Sequence, residues 1–287
     1  MILVTGAGGK TGQAIIKTLS KNKAKIRSFI HNAHKAEYIK SLGATEVIVG
    51  DVLNAEEVDQ AAKRIRAIYH ICPNVHPNEV EIGAIILEAA LKNGVEHFVF
   101  HSVLHPQIEA MPHHWQKMRV EEKVFTSGLA FTILQPTMYM QNILGYLDSI
   151  KRDGVYAVPY STTAPLSMID VNDVAEVAAK VLGEKMHYGA TYELCGSETL
   201  TPEGIARSIG KALGNTVIAQ TQTIDAWKAA NHRLGNYQIK VLSKMFLYYD
   251  KYGLVGNSNT IENLLGRPPA SFEEFLGREL TNKKRPA

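Results

Sequence analysis

The chain has 287 residues, of which 45% are hydrophobic and 21% are charged, and its net charge is +3. This balance is typical of a folded protein with one large domain and a smaller lobe, and the lack of a basic block or arm argues against nucleic acid as a partner. An apolar run begins at Ile2 and no stretch of about 18 uninterrupted apolar residues follows, so we expect a cytoplasmic protein without a signal peptide or a membrane span.

Short apolar runs alternate with helix-length segments along the first half of the chain. The runs predict six strands, at Ile2–Thr5, Lys25–Ile30, Glu46–Val49, Ala67–Cys72, His97–Ser102 and Phe131–Leu134. The segments between them predict five helices, the first from about Thr11, and Asn54 with Glu57 has the spacing of a capping box. This alternation predicts an α/β fold of the doubly wound Rossmann type, a parallel sheet whose ligands bind at the carboxyl ends of its strands.

The regular alternation of predicted strands and helices ends after residue 135. The later elements are predicted as a helix at Met138–Lys151, strands at Val155–Val158 and Leu166–Ile169, a helix at Val171–Leu182, a strand at Thr191–Leu194, a helix capped by Thr201 and a strand at Val217–Ala219. We therefore predict a Rossmann domain of residues 1–135 with about 166–184, and a smaller C-terminal α/β lobe of about 136–165 with 185–287. A small-molecule substrate is expected in the cleft between them.

A glycine-rich turn joins the first predicted strand to the first helix. Gly6, Gly9 and Gly12 have GxxGxxG spacing, and Gly8 is a fourth glycine within this short stretch. Glycines let the backbone approach a pyrophosphate that a β-carbon would block, and the helix N-terminus offers N–H groups to the anion. A merely structural turn does not require so many glycines. We therefore predict that a dinucleotide is bound here by Gly6, Gly8, Gly9, Lys10, Thr11 and Gly12.

The end of the second predicted strand indicates which dinucleotide is bound. NAD-specific sites place an acidic residue about 20 residues after the turn, where it binds the ribose hydroxyl. Here Ser28–Asn32 contains no acid, whereas Arg27, His31 and Lys35 are basic and Lys10 lies in the turn itself. Lacking a repelling carboxylate, the site therefore favours NADP(H) over NAD(H), and Arg27 and His31 are expected to bind the cofactor. Arg27 is equally consistent with a solvated strand residue.

Residues after the other strands complete the predicted cofactor site. Asp51 either lies beside the adenine or caps a turn, and Pro73 borders the ribose and the nicotinamide. Pro136 would run past the nicotinamide, and Thr137 either hydrogen-bonds its carboxamide or belongs to a plain turn. The two cysteines lie far apart and no Cys/His cluster has metal-ligand spacing, so we expect reduced cysteines and no metal.

Several further motifs carry a family resemblance. They are the turn Thr5–Gly12, Asp51, His101–Val103, His113–Lys117, Gly128–Pro136, Tyr139 with Asn142, Ile169–Ala175 and Leu264–Arg267. Together they resemble the NmrA-like family of atypical short-chain dehydrogenases over nearly the whole chain. The resemblance implies a Rossmann domain, a small C-terminal lobe and NAD(P) binding. It does not imply one activity, because the family includes redox-sensing regulators as well as reductases of quinones, azo dyes and related acceptors.

Ordinary short-chain dehydrogenases use a serine and a Tyr-x-x-x-Lys pair, in which the tyrosine donates a proton and the lysine binds the nicotinamide ribose. Ser102 ends the fifth strand and Lys117 follows at a suitable distance, but His113 stands where the tyrosine is expected. Since Pro112 suits the first helical position, His113 and Lys117 lie one turn apart on one face. The missing tyrosine argues against ordinary alcohol dehydrogenase chemistry.

A histidine can still donate a proton, because its ordinary pKa near 6.5 suits neutral conditions. His113 is therefore the candidate acid, with His114 in its place if the helix phase is shifted. Tyr139 is a weaker candidate because the ordinary pKa of tyrosine is nearer 10. His113 is equally consistent with a hydrogen-bonded helix residue, and Ser102 with a simple strand terminator.

Two functions remain compatible with these residues. The first is an NAD(P)H-dependent oxidoreductase that transfers hydride to a small quinone-, dye- or carbonyl-type acceptor, for which the missing tyrosine is tolerable. The alternative is a non-catalytic NADP-binding redox sensor that docks a protein partner; a homodimer is also compatible. Nucleotide-sugar epimerisation normally needs the Tyr-x-x-x-Lys pair and is disfavoured, as is serine hydrolysis without a GxSxG motif.

Overall fold

The computed structural model describes residues 1–282, which form two compact units. The larger unit comprises Met1–Glu109, His113–Pro136 and Val171–Glu193. The smaller unit comprises Ala110–Pro112, Thr137–Asp170 and residues 194–282. Within residues 1–282, no helix combines the length and the apolar character needed to cross a membrane.

Strands and α-helices alternate through much of residues 1–282. The strands are β1 (Ile2–Val4), β2 (Ile26–Ile30), β3 (Glu46–Val49), β4 (Ala67–His70), β5 (His97–His101), β6 (Phe131–Pro136), β7 (Met138–Tyr139), β8 (Val155–Val158), β9 (Leu166–Ile169), β10 (Ala190–Leu194), β11 (Thr199–Leu200) and β12 (Ile218–Thr221). The α-helices are α1 (Lys10–Lys21), α2 (Ala36–Ser41), α3 (Ala55–Ala62), α4 (Glu79–Lys92), α5 (Pro112–Phe125), α6 (Leu147–Asp153), α7 (Val171–Gly183), α8 (Pro202–Leu213), α9 (Ile224–Ala230), α10 (Asn236–Tyr252), α11 (Asn259–Leu265) and α12 (Phe272–Asn282).

The larger unit is built on a seven-stranded sheet in the order β10-β6-β5-β4-β1-β2-β3. All pairs among β1 to β6 are parallel. The chain moves outward from β1 through β2 to β3 and then returns to β4 on the other side, so the topological switch point lies between β1 and β4. All six strands predicted within residues 1–135 are present, and the predicted Rossmann fold is confirmed.

The core of the larger unit explains why its strands are nearly continuous apolar runs. Every residue of β1, β4 and β5 is buried. Leu3, Ile68 and Phe98 belong to one apolar cluster with Val58 of α3 and Ile86 of α4. Helix α3 packs against α4, and α1 packs against α7. Parallel strands covered in this way bury both alternating sets of side chains, which removes the polar alternation of a half-exposed sheet.

Two predictions for the later chain are wrong, one in the start of a helix and one in the placement of a strand. The helix predicted at Met138–Lys151 begins two residues later, as a 3-10 helix at Met140–Gly145 followed by α6, because Met138 and Tyr139 pair with Met168 and Ile169 of β9 and are extended. The strand predicted at Thr191–Leu194 for the smaller lobe is β10, which lies at the edge of the main sheet beside β6. Conversely β9, predicted for the Rossmann domain, pairs with β7 and β11 in the smaller unit.

The smaller unit contains a sheet in the order β11-β9-β7 and a separate parallel pair, β12 with β8. The predicted cap at Thr201 is present, since its side chain accepts a hydrogen bond from the Gly204 N–H. Helix α12 is fixed by an ion pair between Arg278 and the fully buried Asp170. Gln141 Nε2 donates to the same carboxylate at 2.8 Å. A buried carboxylate thus ties α12 to the end of β9.

Arg278→Gln is expected to lower the free energy of unfolding by about 2 kcal/mol, less than the roughly 3–5 kcal/mol of a fully buried pair because Arg278 is partly exposed. The physical reason is that Asp170 keeps its buried charge but loses its guanidinium partner. Lys211→Gln is the matched control, because Lys211 pairs with Glu273 of the same helix at an exposed position. Exposed pairs contribute little, so denaturant unfolding should separate the two variants; equal losses would contradict the argument.

Candidate functional site

The glycine turn between β1 and α1 is shaped by close backbone approaches. Gly6 has a φ of +60°, and a β-carbon there would lie 2.7 Å from the carbonyl oxygen of Ile71. A β-carbon at Gly12 would lie 2.6 Å from the carbonyl oxygen of Gly6. The N-cap of α1, Gly9, provides no side-chain hydrogen bond, so the first-turn N–H groups remain available to an anion. This arrangement fits the pyrophosphate of a dinucleotide.

The turn is also held against the end of β4. Thr5 Oγ1 lies 2.8 Å from His70 Nδ1 and accepts a hydrogen bond from the Ile71 N–H at 3.0 Å. Burial, with a smaller contribution from the Lys117 charge, lowers the pKa of His70 to about 3, so its ring is neutral. These bonds fix the turn at the switch point between β1 and β4.

Basic side chains gather where the turn meets the end of β2. Lys35 Nζ donates to the carbonyl oxygen of Gly8 at 2.9 Å, and a β-carbon at Gly8 would be 3.9 Å from Ile30 Cγ2. Lys10 and His31, predicted for the cofactor, are both exposed at this end. Lys35 was recognised in the sequence only as a basic residue. Its contact with the turn makes it the clearest candidate to bind a phosphate here.

The contacts of Arg27 favour a structural role in the sheet over binding of the cofactor. Arg27 is the second residue of β2 and lies toward the amino end of the strand, away from the turn that follows β1. Its guanidinium forms an ion pair with Glu46 at 2.6 Å and donates to the carbonyl oxygens of Ala61 and Lys63 at 2.8 Å each. These contacts use Arg27 to join β2, β3 and the end of α3.

Asp51 occupies a turn after β3. Its Oδ1 accepts a hydrogen bond from the Leu53 N–H at 3.0 Å, and its own N–H donates to Glu57 Oε2 at 2.7 Å. Of the two roles predicted for Asp51, beside the adenine or as a turn cap, the structure therefore shows the turn cap. Asn54 caps α3 as predicted, but Glu57 bonds to Asp51 and not to the Asn54 N–H that a capping box requires. Pro73 lies exposed after β4, as its sequence position indicated.

Ser102 belongs to a buried polar cluster at the end of β5. Its hydroxyl donates to Glu121 Oε1 of α5. Gln135 of β6 donates to both oxygens of the same carboxylate, at 2.9 and 3.0 Å. Burial raises the pKa of Glu121, while the bonds from Ser102 and Gln135 oppose that shift. Because the Ser102 proton is directed to Glu121, the outward lone pairs of this hydroxyl can accept a hydrogen bond.

Lys117 is held beside Ser102 by a second buried acid. Its Nζ donates to Glu79 Oε1 at 2.8 Å and to the carbonyl oxygen of His101 at 3.3 Å. The ammonium also lies 5.4 Å from the centroid of the Phe100 ring. Sequence reasoning missed both Glu79 and Glu121. Each resembles an ordinary helix-surface acid, Glu79 in a first turn and Glu121 one turn after a lysine, and burial alone distinguishes them.

The environment of His113 corrects the premise that it titrates near neutral pH. Burial lowers its pKa well below the ordinary value, and the charges of His114 and Lys117 act in the same direction. The pKa of His114 falls to about 4, chiefly through burial. His113 Nδ1 is buried with no hydrogen-bond partner among the described residues. His113 is therefore a neutral imidazole at physiological pH and holds no proton to donate as an imidazolium.

Three further predicted residues lie at and after the end of β6. Pro136 is the last residue of β6 and is buried. Thr137 donates its hydroxyl to the carbonyl oxygen of Ser167 at 2.9 Å and its N–H to that of Leu194 at 3.0 Å, which favours a turn role. Tyr139 is a half-buried residue of β7. The roles of Pro136 beside the cofactor and of Tyr139 beside the substrate stay predictions.

The glycine turn lies at the switch point of a parallel sheet, basic groups lie at the end of β2, and a lysine is fixed beyond β5. Together these features define a Rossmann-type dinucleotide-binding protein. The chain belongs to the NmrA-like family, whose model matches residues 1–276. The predicted family resemblance is thereby confirmed.

Among known proteins, the chain is 26% identical over 279 residues to an NAD(P)H azoreductase of Xenophilus azovorans, covering 96% of each chain. Its fold matches an NADPH-dependent quinone oxidoreductase of Escherichia coli, solved with NADPH, with a TM-score of 0.86, 23% identity and coverage of 98% of this chain and 100% of that one. It also matches a triphenylmethane reductase of Citrobacter sp., solved with NADP(H), with a TM-score of 0.85, 21% identity and coverage of 97% and 99%.

Proposed function

We propose that this protein is an NADPH-dependent oxidoreductase that reduces a quinone- or dye-type acceptor by hydride transfer. One observation carries the choice of acceptor. Ser102 directs its proton to Glu121 and His113 is neutral, so of the predicted acids only Tyr139, the weaker candidate, is left at neutral pH. Reduction of a simple ketone needs such an acid for the alkoxide. A quinone gives a stabilised anion that water can protonate, and a cationic dye needs no proton at all.

Different residues of the larger unit would bind the two halves of the cofactor. NADPH supplies the hydride when it is bound. The N–H groups of the glycine turn bind its pyrophosphate, and Lys35, with His31 and Lys10, binds the 2′-phosphate. Lys117 binds the nicotinamide ribose. The similar proteins include an azoreductase, a quinone oxidoreductase and a triphenylmethane reductase. This similarity supports the proposal that the acceptor is flat and electrophilic.

The test is oxidation of NADPH with a panel of benzoquinones, azo dyes, triphenylmethane dyes and aliphatic ketones, followed by absorbance. We expect turnover with quinones or dyes and none with the ketones. Lys117→Met should lose most activity, whereas Lys123→Met, an exposed position on the same helix, should keep it. Tight NADPH binding without turnover of any acceptor would contradict the enzyme and favour the redox sensor. The sensor requires an affinity for a protein partner that differs between free and NADP-bound protein.

Lys35→Ala is expected to raise the dissociation constant of NADPH about tenfold, because a charge-assisted bond to the 2′-phosphate is lost. The dissociation constant of NADH should change little, since NADH lacks this phosphate. Fluorescence titration of both nucleotides measures the effect. Lys40→Ala is the control, because Lys40 is exposed on α2 and pairs with Glu37. An equal loss for NADPH and NADH would show that Lys35 only shapes the turn through Gly8.

A further inference from the structure

Glu79 is a buried acid in a helix turn where acids are normally exposed. It is the first residue of α4 and is 3% exposed. Glu81 of the same turn is exposed and accepts a hydrogen bond from Asn78, as an acid near a helix N-terminus ordinarily does. Withdrawing a carboxylate from water costs several kcal/mol, so its retention here requires a partner of opposite charge. That partner is Lys117.

The ion pair fixes the direction of the Lys117 ammonium. A lysine ammonium has three N–H donors, and two of them are used by Glu79 Oε1 at 2.8 Å and by the His101 carbonyl oxygen at 3.3 Å. The Lys117 side chain is 14% exposed, so little room remains for other rotamers. One donor is therefore left with a defined direction, at the carboxyl edge of β5. A flexible lysine would lose this preorganisation.

We propose that Glu79 is a positioning residue that aims the third N–H of Lys117 at the nicotinamide ribose. The proposal rests on the proposed role of Lys117 in binding the cofactor. Glu79 acts through the ammonium of Lys117 and touches neither cofactor nor substrate. Its loss should weaken binding of the nicotinamide half of NADPH and leave the adenosine half unaffected, because the adenosine half is bound at the turn and at Lys35.

Glu79→Gln tests the proposal through binding alone, with two ligands compared by calorimetry. We expect the dissociation constant of NADPH to rise about tenfold, the size of a lost charge-assisted hydrogen bond, and that of adenosine 2′,5′-bisphosphate to stay within about twofold. Glu88→Gln is the matched control, because Glu88 is exposed on the same helix. Equal loss for both ligands would overturn the proposal, since it would mean general damage to the fold, and so would unchanged affinity for NADPH.

A double-variant cycle shows whether Glu79 acts through Lys117. In a Lys117→Met background, Glu79→Gln should change the NADPH affinity by less than about twofold, because no ammonium remains to be positioned. The double variant leaves no unpaired buried charge from this pair, so it remains measurable if a single variant folds poorly. A full effect of Glu79→Gln in that background would overturn the proposal. These binding experiments involve no acceptor. Failure of hydride transfer to every acceptor would overturn the proposed function, but the measured affinities would still test the role of Glu79.

Discussion

Gly12→Ala is expected to abolish NADPH binding and to destabilise the larger unit. A β-carbon at this position would lie 2.6 Å from the Gly6 carbonyl oxygen and 2.7 Å from the Ala7 Cα. Both neighbours are backbone atoms, so the turn itself must move and no side chain can yield. Displacement of the turn removes the N–H groups from the pyrophosphate, and overpacking of this kind costs about 1–3 kcal/mol.

Thermal shift with and without NADPH measures both effects. Ligand at about 100 times its dissociation constant stabilises the wild type by about 2.7 kcal/mol, and this gain should vanish in Gly12→Ala. Gly183→Ala is the control, since a β-carbon there meets nothing within 4 Å and Gly183 ends a helix of the same unit. A normal NADPH shift in the Gly12 variant would show that this turn does not bind the cofactor.

The fold of the larger unit could be predicted because its signals are local. Apolar runs separated by helix-length segments determine the parallel sheet, and predicted bounds such as Glu46–Val49 match the structure. The errors arise where pairing partners are distant in the chain. The sequence from Met138 resembles the start of an amphipathic helix, but Met138 pairs with Met168 of β9, and this pairing keeps it extended. Nothing in the sequence near Ala190–Leu194 shows that this strand lies beside β6 and not in the smaller unit.

The candidate site was predictable only for residues that belong to a motif. The glycine turn, Ser102 and Lys117 follow known spacings, and the structure places each at the carboxyl edge of the sheet. Glu79 could not be predicted, because its function depends on a contact with a lysine on another helix. The cofactor role of Arg27 rests on the basic residues near β2 and takes no account of its position along the strand. Its place near the amino end of β2 directs it to Glu46.

Acidification is expected to destabilise the protein well above the pH at which carboxylates protonate, because the fold buries several neutral histidines. Burial is the chief cause that lowers the pKa of His70 and His101 to about 3, and of His97 and His114 to about 4. The rings of His97 and His114 each keep one nitrogen without a hydrogen-bond partner among the described residues. A second proton on either ring would therefore find no acceptor.

The direction of the effect follows from proton linkage. Between pH 6.5 and about 4 the unfolded chain binds protons at these histidines and the folded protein does not, so stability falls as the pH falls. Each histidine contributes about 1.4 kcal/mol per pH unit in this window, and four contribute about 5.5 kcal/mol per pH unit. The raised pKa of Glu121 acts in the opposite direction, but it is one group against four. Since whole proteins are stable by about 5–15 kcal/mol, unfolding should occur between about pH 5.5 and 4, at a pH set by the stability at neutral pH.

Urea unfolding at pH values stepped from about 7.5 to about 5 measures this slope. His97→Gln should reduce the slope by about 1.4 kcal/mol per pH unit, because it removes one titrating group from the unfolded chain while its amide can still bond to Thr132. His34→Gln, at an exposed position, should leave the slope unchanged. A free energy of unfolding that is flat over this range would mean that the buried histidines are protonated in the fold. The neutral state assigned to His113 would then also need revision, since the same burial lowers its pKa.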